Sequence, residues 1–266
     1  MRNSFLQWIS ISVLTIVSIA ASGCGPDQHA KRDLTVGYDA LEAQQYDQAI
    51  ASADAYLQQR PNGVGTAEAL YLRGRGLEQK TVHSNAEAQA NLQAARSAYI
   101  EALSKNPSPK LEAYLHTSLA NVAYFQEDYG AAEQEWTKAY AQLDDEGLKS
   151  WVLYRVGLCR QRMDHFSEAD QIFATVQQKY PNTVPAQRSQ EHQGARAFTV
   201  QFATFASPAN ADSALAAFRR DGLNVVKQAD RQGRAVIVST PVPSYRQAQA
   251  LKARYTLTYP SAIILP

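Results

Sequence analysis

The chain has 266 residues, 45% of them hydrophobic, and a formal net charge of +1 at pH 7. This length and composition allow one large or two modest buried cores, which excludes a disordered chain and a protein with several membrane spans. Near-neutral charge argues against nucleic-acid binding, because phosphate backbones are bound through an excess of lysine and arginine. The charge is unevenly divided, since residues 196–266 carry nine basic and three acidic side chains, whereas residues 1–195 carry 17 basic and 22 acidic ones. We therefore expect residues 196–266, called the tail below, to form a separate body.

Residues 1–23 have the pattern of a secretory signal peptide: Arg2, an apolar stretch over about residues 5–20, and small residues up to Cys24. The ending Ala-Ser-Gly-Cys resembles the bacterial lipoprotein signal, although that family usually has leucine where the alanine stands. The resemblance implies cleavage before Cys24, lipidation of this cysteine and a tether over residues 24–32, so that a lipid anchor holds the protein to a membrane. It also implies the periplasmic side of the bacterial cell envelope, with the outer membrane favoured. An ordinary cysteine beside a simple cleavage site is the alternative.

Four segments between residues 33 and 182 share one register, with spacings of 46, 37 and 37 residues. Each segment opens with a small residue: Ala49, Ala95, Ala132 and Ala169. Four positions later stand Ala53, Tyr99, Trp136 and Phe173, and three segments close with proline: Pro61, Pro107 and Pro181. These residues resemble the tetratricopeptide repeat, a helix-turn-helix unit whose two helices, A and B, approach closely at small side chains. Gly37, Gly74, Ala120 and Gly157 stand at the matching small position of helix A. An unspecific helical bundle is the alternative.

The repeat resemblance implies a helical solenoid with a concave groove that binds envelope proteins. Candidate groove residues on the A helices are Tyr38, Tyr71, Tyr114, Tyr154 and Arg155. Some of them will belong to the core, which the sequence does not distinguish. The second unit contains about nine extra residues near 80–91, which we expect as a longer loop or an extended helix B.

Residues 183–195 are polar and contain Pro185 and Gly194, which favours a short linker. The period then changes, because Phe198, Val200 and Phe202 alternate with smaller or polar residues, as in a half-buried strand. The tail as a whole predicts strand, helix, strand, strand, helix, strand, with both helices on one face of the sheet. The predicted fold class is therefore an α+β multidomain protein, with an all-α solenoid followed by a small split-βαβ domain.

This order of elements, the basic balance and the pattern V-Q-x-x-x-F over residues 200–205 resemble the SPOR domain. The resemblance implies binding of septal peptidoglycan glycan strands stripped of their peptides, on the sheet face away from the helices. Residues expected on that face are Thr199, Gln201 and Ala203 of the first strand, with Thr204 after them, and Ala235, Ile237 and Ser239 of the third. Tyr245 or Tyr259 would stack on a sugar ring, and Arg196, Arg231 and Arg234 would meet lactyl carboxylates. A merely solvated Gln201 is the alternative.

The sequence contains no nucleophile motif, phosphate-binding loop or dinucleotide-binding turn, and its five histidines are scattered. We therefore expect no catalytic residues, no metal, no cofactor and no enzymatic activity, and we expect Cys159 to be a small core residue. The favoured function is a non-enzymatic envelope scaffold whose repeats bind proteins and whose tail binds glycan strands, in cell division or wall remodelling. The alternative is an outer-membrane protein assembly or trafficking factor, in which the tail would be a protein-docking module.

Overall fold

The computed structural model describes residues 27–230 and 232–266, with side chains from residue 34 onward. The predicted signal peptide, Cys24 and Arg231 lie outside the described residues. Within the described part, no helix is both long and apolar enough to cross a membrane. The chain divides into two compact units, Met1–Val152 and Leu153–Pro266, so that the boundary falls inside a helix.

In the described residues, nine helices precede the tail: α1 Asp27–Glu42, α2 Tyr46–Gln59, α3 Thr66–Gln79, α4 Asn85–Ser104, α5 Pro109–Phe125, α6 Tyr129–Gln142, α7 Glu146–Arg162, α8 Phe166–Lys179 and α9 Val184–His192. The tail contains β1 Thr199–Phe205, α10 Pro208–Arg220, β2 Val225–Ala229, β3 Ala235–Ser239, α11 Tyr245–Tyr255 and β4 Ile263–Leu265. The expected order of elements in the tail is thus confirmed.

The register of small and aromatic residues sets the packing within the helical hairpins. A Cβ atom added to Gly74 of α3 would lie 2.3 Å from the ring of Tyr99 on α4. The equivalent atom on Gly157 of α7 would lie 2.6 Å from the ring of Phe173 on α8. Both rings are fully buried. Glycine therefore allows helix A to approach the large side chain of helix B, as the repeat pattern predicts.

Of the two forms expected for the extra residues of the second repeat, the structure shows the extended helix B, and the expected linker and tether are partly helical. The extra residues of the second unit lengthen helix B, since α4 has 20 residues where α2, α6 and α8 have 14. The expected linker over residues 183–195 is largely helix α9, which is capped by the hydroxyl of Thr183. Pro185 belongs to the first turn of this helix, where proline is tolerated because the N–H of that position has no intrahelical partner. Helix α1 likewise begins at Asp27, within the segment expected to be a tether.

The tail is a four-stranded antiparallel sheet in the order β2-β3-β1-β4. Its core lies between the sheet and the two helices α10 and α11, and the predicted inward residues Phe198, Val200 and Phe202 are all buried in it. We call the other side of the sheet the open face.

The core of the tail includes a side chain from the last helical hairpin. Phe166, the first residue of α8, packs against that core, and its ring centroid lies 5.5 Å from the ring centroid of Phe198. Tyr245 of α11 meets Phe198 edge to face at 5.3 Å, and the guanidinium of Arg162 lies 4.8 Å from the Tyr245 ring centroid. Aromatic contact and a cation over a ring thus join α7 and α8 to the tail.

Two aspartates complete this junction. Asp164, in the turn after α7, has a φ of +66°, and its carboxylate accepts a hydrogen bond of 3.0 Å from the backbone N–H of Tyr245. Asp170 of α8 accepts one of 2.8 Å from the backbone N–H of Gly194 and forms an ion pair of 2.8 Å with Arg196. The chain that enters β1 and the start of α11 are therefore both held to the last hairpin.

His192, the last residue of α9, packs against helices α7 and α8. Its Nδ1 lies 2.8 Å from Oε1 of Gln161, and its ring centroid lies 5.6 Å from that of Phe173. Burial, together with the nearby charges of Arg162 and Arg188, lowers the pKa of His192 to about 4. The folded protein therefore holds this side chain neutral at pH 7.

We predict that Gly74→Ala lowers the free energy of unfolding by about 1 to 3 kcal/mol, because its new methyl group would overlap the Tyr99 ring. Gly130→Ala is the matched control, since a Cβ there meets only one atom, at 3.9 Å, and should be neutral or stabilising by up to about 1 kcal/mol. Urea denaturation measures both variants. Equal effects would show that the close approach is not what the glycine provides.

We predict that Phe166→Ala lowers the stability of the tail by about 1 to 3 kcal/mol, since it removes a half-buried ring from the tail's core. Hydrogen exchange of the β1 and β3 amides would report this change locally. Val184→Ala, which truncates a half-exposed side chain on α9, is the control and should change protection little. Unaltered exchange in the Phe166 variant would mean that the tail folds without α8.

We predict that the protein loses stability as the pH falls from about 6.5 to about 4, in part through His192. The unfolded chain takes up a proton in this range that the folded chain excludes, so unfolding is favoured by acid. His192→Gln should remove about 1 to 2 kcal/mol of this pH dependence, as measured by urea denaturation at pH 7 and pH 4.5. Parallel stability curves for the two proteins would contradict the assignment.

Candidate functional site

The open face is built from alternate residues of all four strands. Because paired residues in an antiparallel sheet share a face, the register gives one row across it: Val226, Val238, Gln201 and Ile263. A second row contains Gln228, Val236 and Thr204, and a third pairs Thr199 with Leu265. The polar residues Gln201 and Thr199 therefore lie on this face, as expected.

A β-bulge in β1 brings Thr204 to the same face. Residues three apart in a regular strand point to opposite sides, so Thr204 would lie opposite to Gln201. Between Gln201 and Ala203 the pairing with β3 shifts by one residue, so that Gln201 opposes Val238 and Ala203 opposes Ile237. After this shift, the amide Nε2 of Gln201 donates a hydrogen bond of 3.4 Å to the hydroxyl of Thr204.

The third strand faces opposite to the sequence prediction. Ala235, Ile237 and Ser239 were expected on the open face, but Ile237 is fully buried in the core between sheet and helices. Ser239 is 1% exposed, and its hydroxyl accepts a hydrogen bond of 2.9 Å from the backbone N–H of Val200. This serine therefore holds neighbouring strands together and does not reach a ligand. Ala203, which pairs with Ile237, leaves the open face as well.

The predicted stacking residues also lie on the helix side. Tyr259 stacks on Phe218 of α10 at 4.9 Å between ring centroids, and Tyr245 belongs to the junction with the last hairpin. Every aromatic side chain of the tail is part of the core or packs against it. The floor of the open face is instead aliphatic, with Val236 and Val238 buried and Val226 and Ile263 each 45% exposed.

The predicted basic residues have separate positions. Arg196 is paired with Asp170 of α8. Arg234 stands in the turn between β2 and β3, where its Nε forms an ion pair of 2.7 Å with Asp230. Since the next residue pairs with Phe205, this turn lies at the Thr204 end of the sheet. The turn that carries Arg234 therefore borders the sheet near Thr204.

The open face has the chemistry of a binding surface. The amides of Gln201 and Gln228 and the hydroxyls of Thr199 and Thr204 can exchange hydrogen bonds with hydroxyl and acetamido groups. The aliphatic floor can cover the apolar faces of sugar rings. Among the described residues of this face there is no carboxylate or histidine, and the described chain contains no group of three side chains that could hold a metal ion.

Three of the five predicted groove residues, Tyr38, Tyr71 and Tyr114, lie on helices α1, α3 and α5 of the first compact unit. Tyr71 of α3 lies 6.5 Å from Tyr114 of α5 and 6.1 Å from Tyr99, measured between ring centroids. Burial beside Tyr71 and Glu68 raises the pKa of Tyr38 of α1 above its ordinary value. Burial beside Tyr71 also raises the pKa of Tyr114. The phenols of Tyr38 and Tyr114 are therefore neutral donors at physiological pH.

A polar network that the sequence reasoning missed supports these tyrosines. Arg75 donates a hydrogen bond of 3.3 Å to the hydroxyl of Tyr71. Glu78, whose side chain is 4% exposed, accepts one of 2.7 Å from the Tyr99 hydroxyl and one of 3.4 Å from Asn121. The signal was the spacing of Tyr71, Arg75 and Glu78 at i, i+4 and i+7, which lies along one face of α3.

The other two predicted groove residues, Tyr154 and Arg155, lie on α7, in the compact unit Leu153–Pro266. Tyr154 is 5% exposed and packs between Phe173 and His192, with centroid distances of 6.0 Å and 5.9 Å. It is therefore a core residue and does not line a groove. Arg155, its neighbour on α7, is half-buried.

Comparisons with known proteins agree with this architecture. The family model described as "SPOR domain" matches residues 194–266. A solved tetratricopeptide repeat protein from Parabacteroides merdae ATCC 43184 is 18% identical, with a TM-score of 0.50 over 62% of this chain and 59% of that one. No curated protein matches the sequence.

Two further solved structures are similar to the chain. A thermophilic TPR protein of Thermus thermophilus is 15% identical, with a TM-score of 0.49 over 63% of this chain and 82% of that one. The pilF protein of Pseudomonas aeruginosa is 15% identical, with a TM-score of 0.48 over 88% of this chain and 94% of that one. The hairpin packing, the sheet order and the matched segment lead to one conclusion: the chain has the fold of a tetratricopeptide-type helical repeat, followed by a segment over residues 194–266 that matches the SPOR domain.

Proposed function

We propose that the protein is a non-enzymatic scaffold of the bacterial cell envelope, whose tail binds peptidoglycan glycan strands and whose helical repeats bind an envelope protein. The observation that carries the proposal is the pair of Gln201 and Thr204 on the open face of a SPOR domain. A single bulge aligns an amide and a hydroxyl above an aliphatic floor, which suits a polymer of hydroxyl and acetamido groups.

The bound glycan would be one stripped of its peptides. The row that contains Gln201 crosses the sheet without a charged side chain, and Arg234 lies at one end. A bare glycan strand offers sugar rings to the floor and lactyl carboxylates to this arginine, whereas a peptide-bearing strand would place bulky stems over the same surface. Such strands are a feature of the division septum, so we assign the protein to cell division or wall remodelling.

The envelope location rests on the N-terminal sequence. The signal-like segment that ends at Cys24 would deliver the protein across the inner membrane and leave it lipid-anchored, with the outer membrane favoured. The repeats then face the periplasm. Their tyrosine cluster, which consists of Tyr38, Tyr71 and Tyr114, offers phenol hydroxyl groups beside Arg75 and Glu78. Such a surface suits an extended protein segment with backbone carbonyl groups to pair.

We predict that Gln201→Ala combined with Thr204→Ala weakens binding to amidase-treated sacculi by about 10- to 30-fold, because two hydrogen-bonding groups to the sugar are lost. The assay is cosedimentation of residues 27–266 with the treated wall. The matched control, Gln247→Ala with Thr258→Ala, removes the same residue types from exposed positions away from the open face and should bind as the parent does.

Two results would contradict the glycan assignment: failure of the parent protein to sediment with amidase-treated wall, or equal binding by the Gln201/Thr204 variant. Circular dichroism of the variant checks that the sheet is intact. In cells, a fluorescent fusion of the parent should form septal bands, and the same double substitution should disperse them.

A further inference from the structure

Four of the nine basic side chains of the tail lie in the last turns of its two helices. Arg219 and Arg220 occupy the last turn of α10, and Lys252 and Arg254 occupy the last turn of α11. The two helix ends meet, because Nη2 of Arg254 lies 3.3 Å from the backbone oxygen of Asp221. We call the group of Arg219, Arg220, Lys252, Arg254 and the neighbouring Leu257 the basic end.

Leu257 is the unusual member of this group. It stands in the turn after α11 and is 100% exposed, more than any other large hydrophobic side chain of the described residues. Two residues later, Tyr259 stacks on Phe218, the residue before Arg219, with 4.9 Å between ring centroids. The fully exposed leucine therefore stands two residues from a ring that packs on the last turns of α10.

Arg219 and Arg220 are available for a partner. Arg219, Arg220 and Arg254 are exposed, and no ion pair involves Arg219 or Arg220 among the described residues. The one acidic residue between positions 213 and 229 is Asp221, and none follows Asp230 in the sequence. Helix dipoles favour cations at helix C-termini, which accounts for the position of these residues but not for the exposed leucine.

We propose that the basic end binds the surface of a membrane that contains anionic phospholipids. Clustered arginine and lysine side chains are attracted to anionic head groups, and a protruding leucine can enter the boundary between head groups and acyl chains. A nucleic acid or an acidic protein would use the charges but would gain little from a solvated leucine. The basic end lies on the helix side of the sheet, so the open face stays accessible at the same time.

Vesicle cosedimentation tests this assignment with residues 27–266. We expect binding to vesicles of 30% phosphatidylglycerol and 70% phosphatidylcholine, and little binding to pure phosphatidylcholine. Arg219→Gln with Arg220→Gln should lower the partition coefficient by about 25-fold, since each basic residue near an anionic surface contributes about fivefold. Leu257→Ser should lower it by up to about tenfold.

The matched controls are Arg96→Gln with Lys110→Gln, which removes the same charge from exposed positions in the first unit, and Val64→Ser, which removes another exposed apolar side chain. Both should bind as the parent does. The proposal fails if the parent does not bind the anionic vesicles, if the controls lose as much affinity as the basic-end variants, or if soluble polyphosphate binds tightly while vesicles do not. Binding to amidase-treated sacculi should be unchanged in the basic-end variants, so the result is independent of the glycan assignment.

Discussion

The open face of the tail depends on one extra residue in strand β1. The strand alternates regularly as far as Gln201, and this alternation places Phe198, Val200 and Phe202 in the core. The bulge then reverses the phase, so that Thr204 joins Gln201 on the same side. A bulge leaves backbone groups without regular ladder partners, and it persists because the flanking core residues fix the strand on both sides. The site therefore owes its geometry to the apolar core beneath it.

Side chains of the last helical hairpin, α7 and α8, pack against the tail and form hydrogen bonds with its backbone. The ring of Phe166 is in the tail's core, and two aspartates of the hairpin hold the backbone that leads into β1 and α11. The matched SPOR segment begins at Gly194, after these aspartates in sequence. A fragment cut at that limit would expose Phe198 and Tyr245 and would leave Arg196 without its partner. Residues before the matched segment 194–266 thus contribute to the stability of the tail.

The sequence predicted the helical part well because its signal is redundant. The same register recurs in four segments, and the structure shows the small residue against a large ring at Gly74 with Tyr99 and at Gly157 with Phe173. In the tail each strand occurs once, so no repeated pattern confirms which of its residues face the core. The third strand reads Ala-Val-Ile-Val-Ser, and an almost wholly apolar strand has no visible phase, so Ile237 and Ser239 were assigned to the wrong face. The partner strand β2 gives no phase either, since Lys227 and Gln228 are both polar and lie on opposite sides of the sheet.

The sequence also does not predict the position of a side chain that would suit either the core or a binding surface. Tyr245 has the size and polarity of a sugar-stacking residue, and nothing local indicates that Arg162, 83 positions earlier, will cover its ring. Tyr154 has the spacing of a groove residue but meets Phe173 and His192. In both cases the deciding partner is distant in the chain. The cluster around Tyr71 was easier, because Tyr38, Tyr71 and Tyr114 lie on the A helices of successive hairpins.

Asp164 illustrates how such a junction narrows the choice of residues. Gln44, Glu127 and Asp164 occupy corresponding turns between helices A and B, and all three adopt positive φ angles. Glycine would suit the backbone at each of these turns. At position 164, however, the side chain must also accept the N–H of Tyr245. Only a short acceptor meets both demands, so the acceptable residues there are reduced to aspartate and asparagine, while the other two turns remain free to vary.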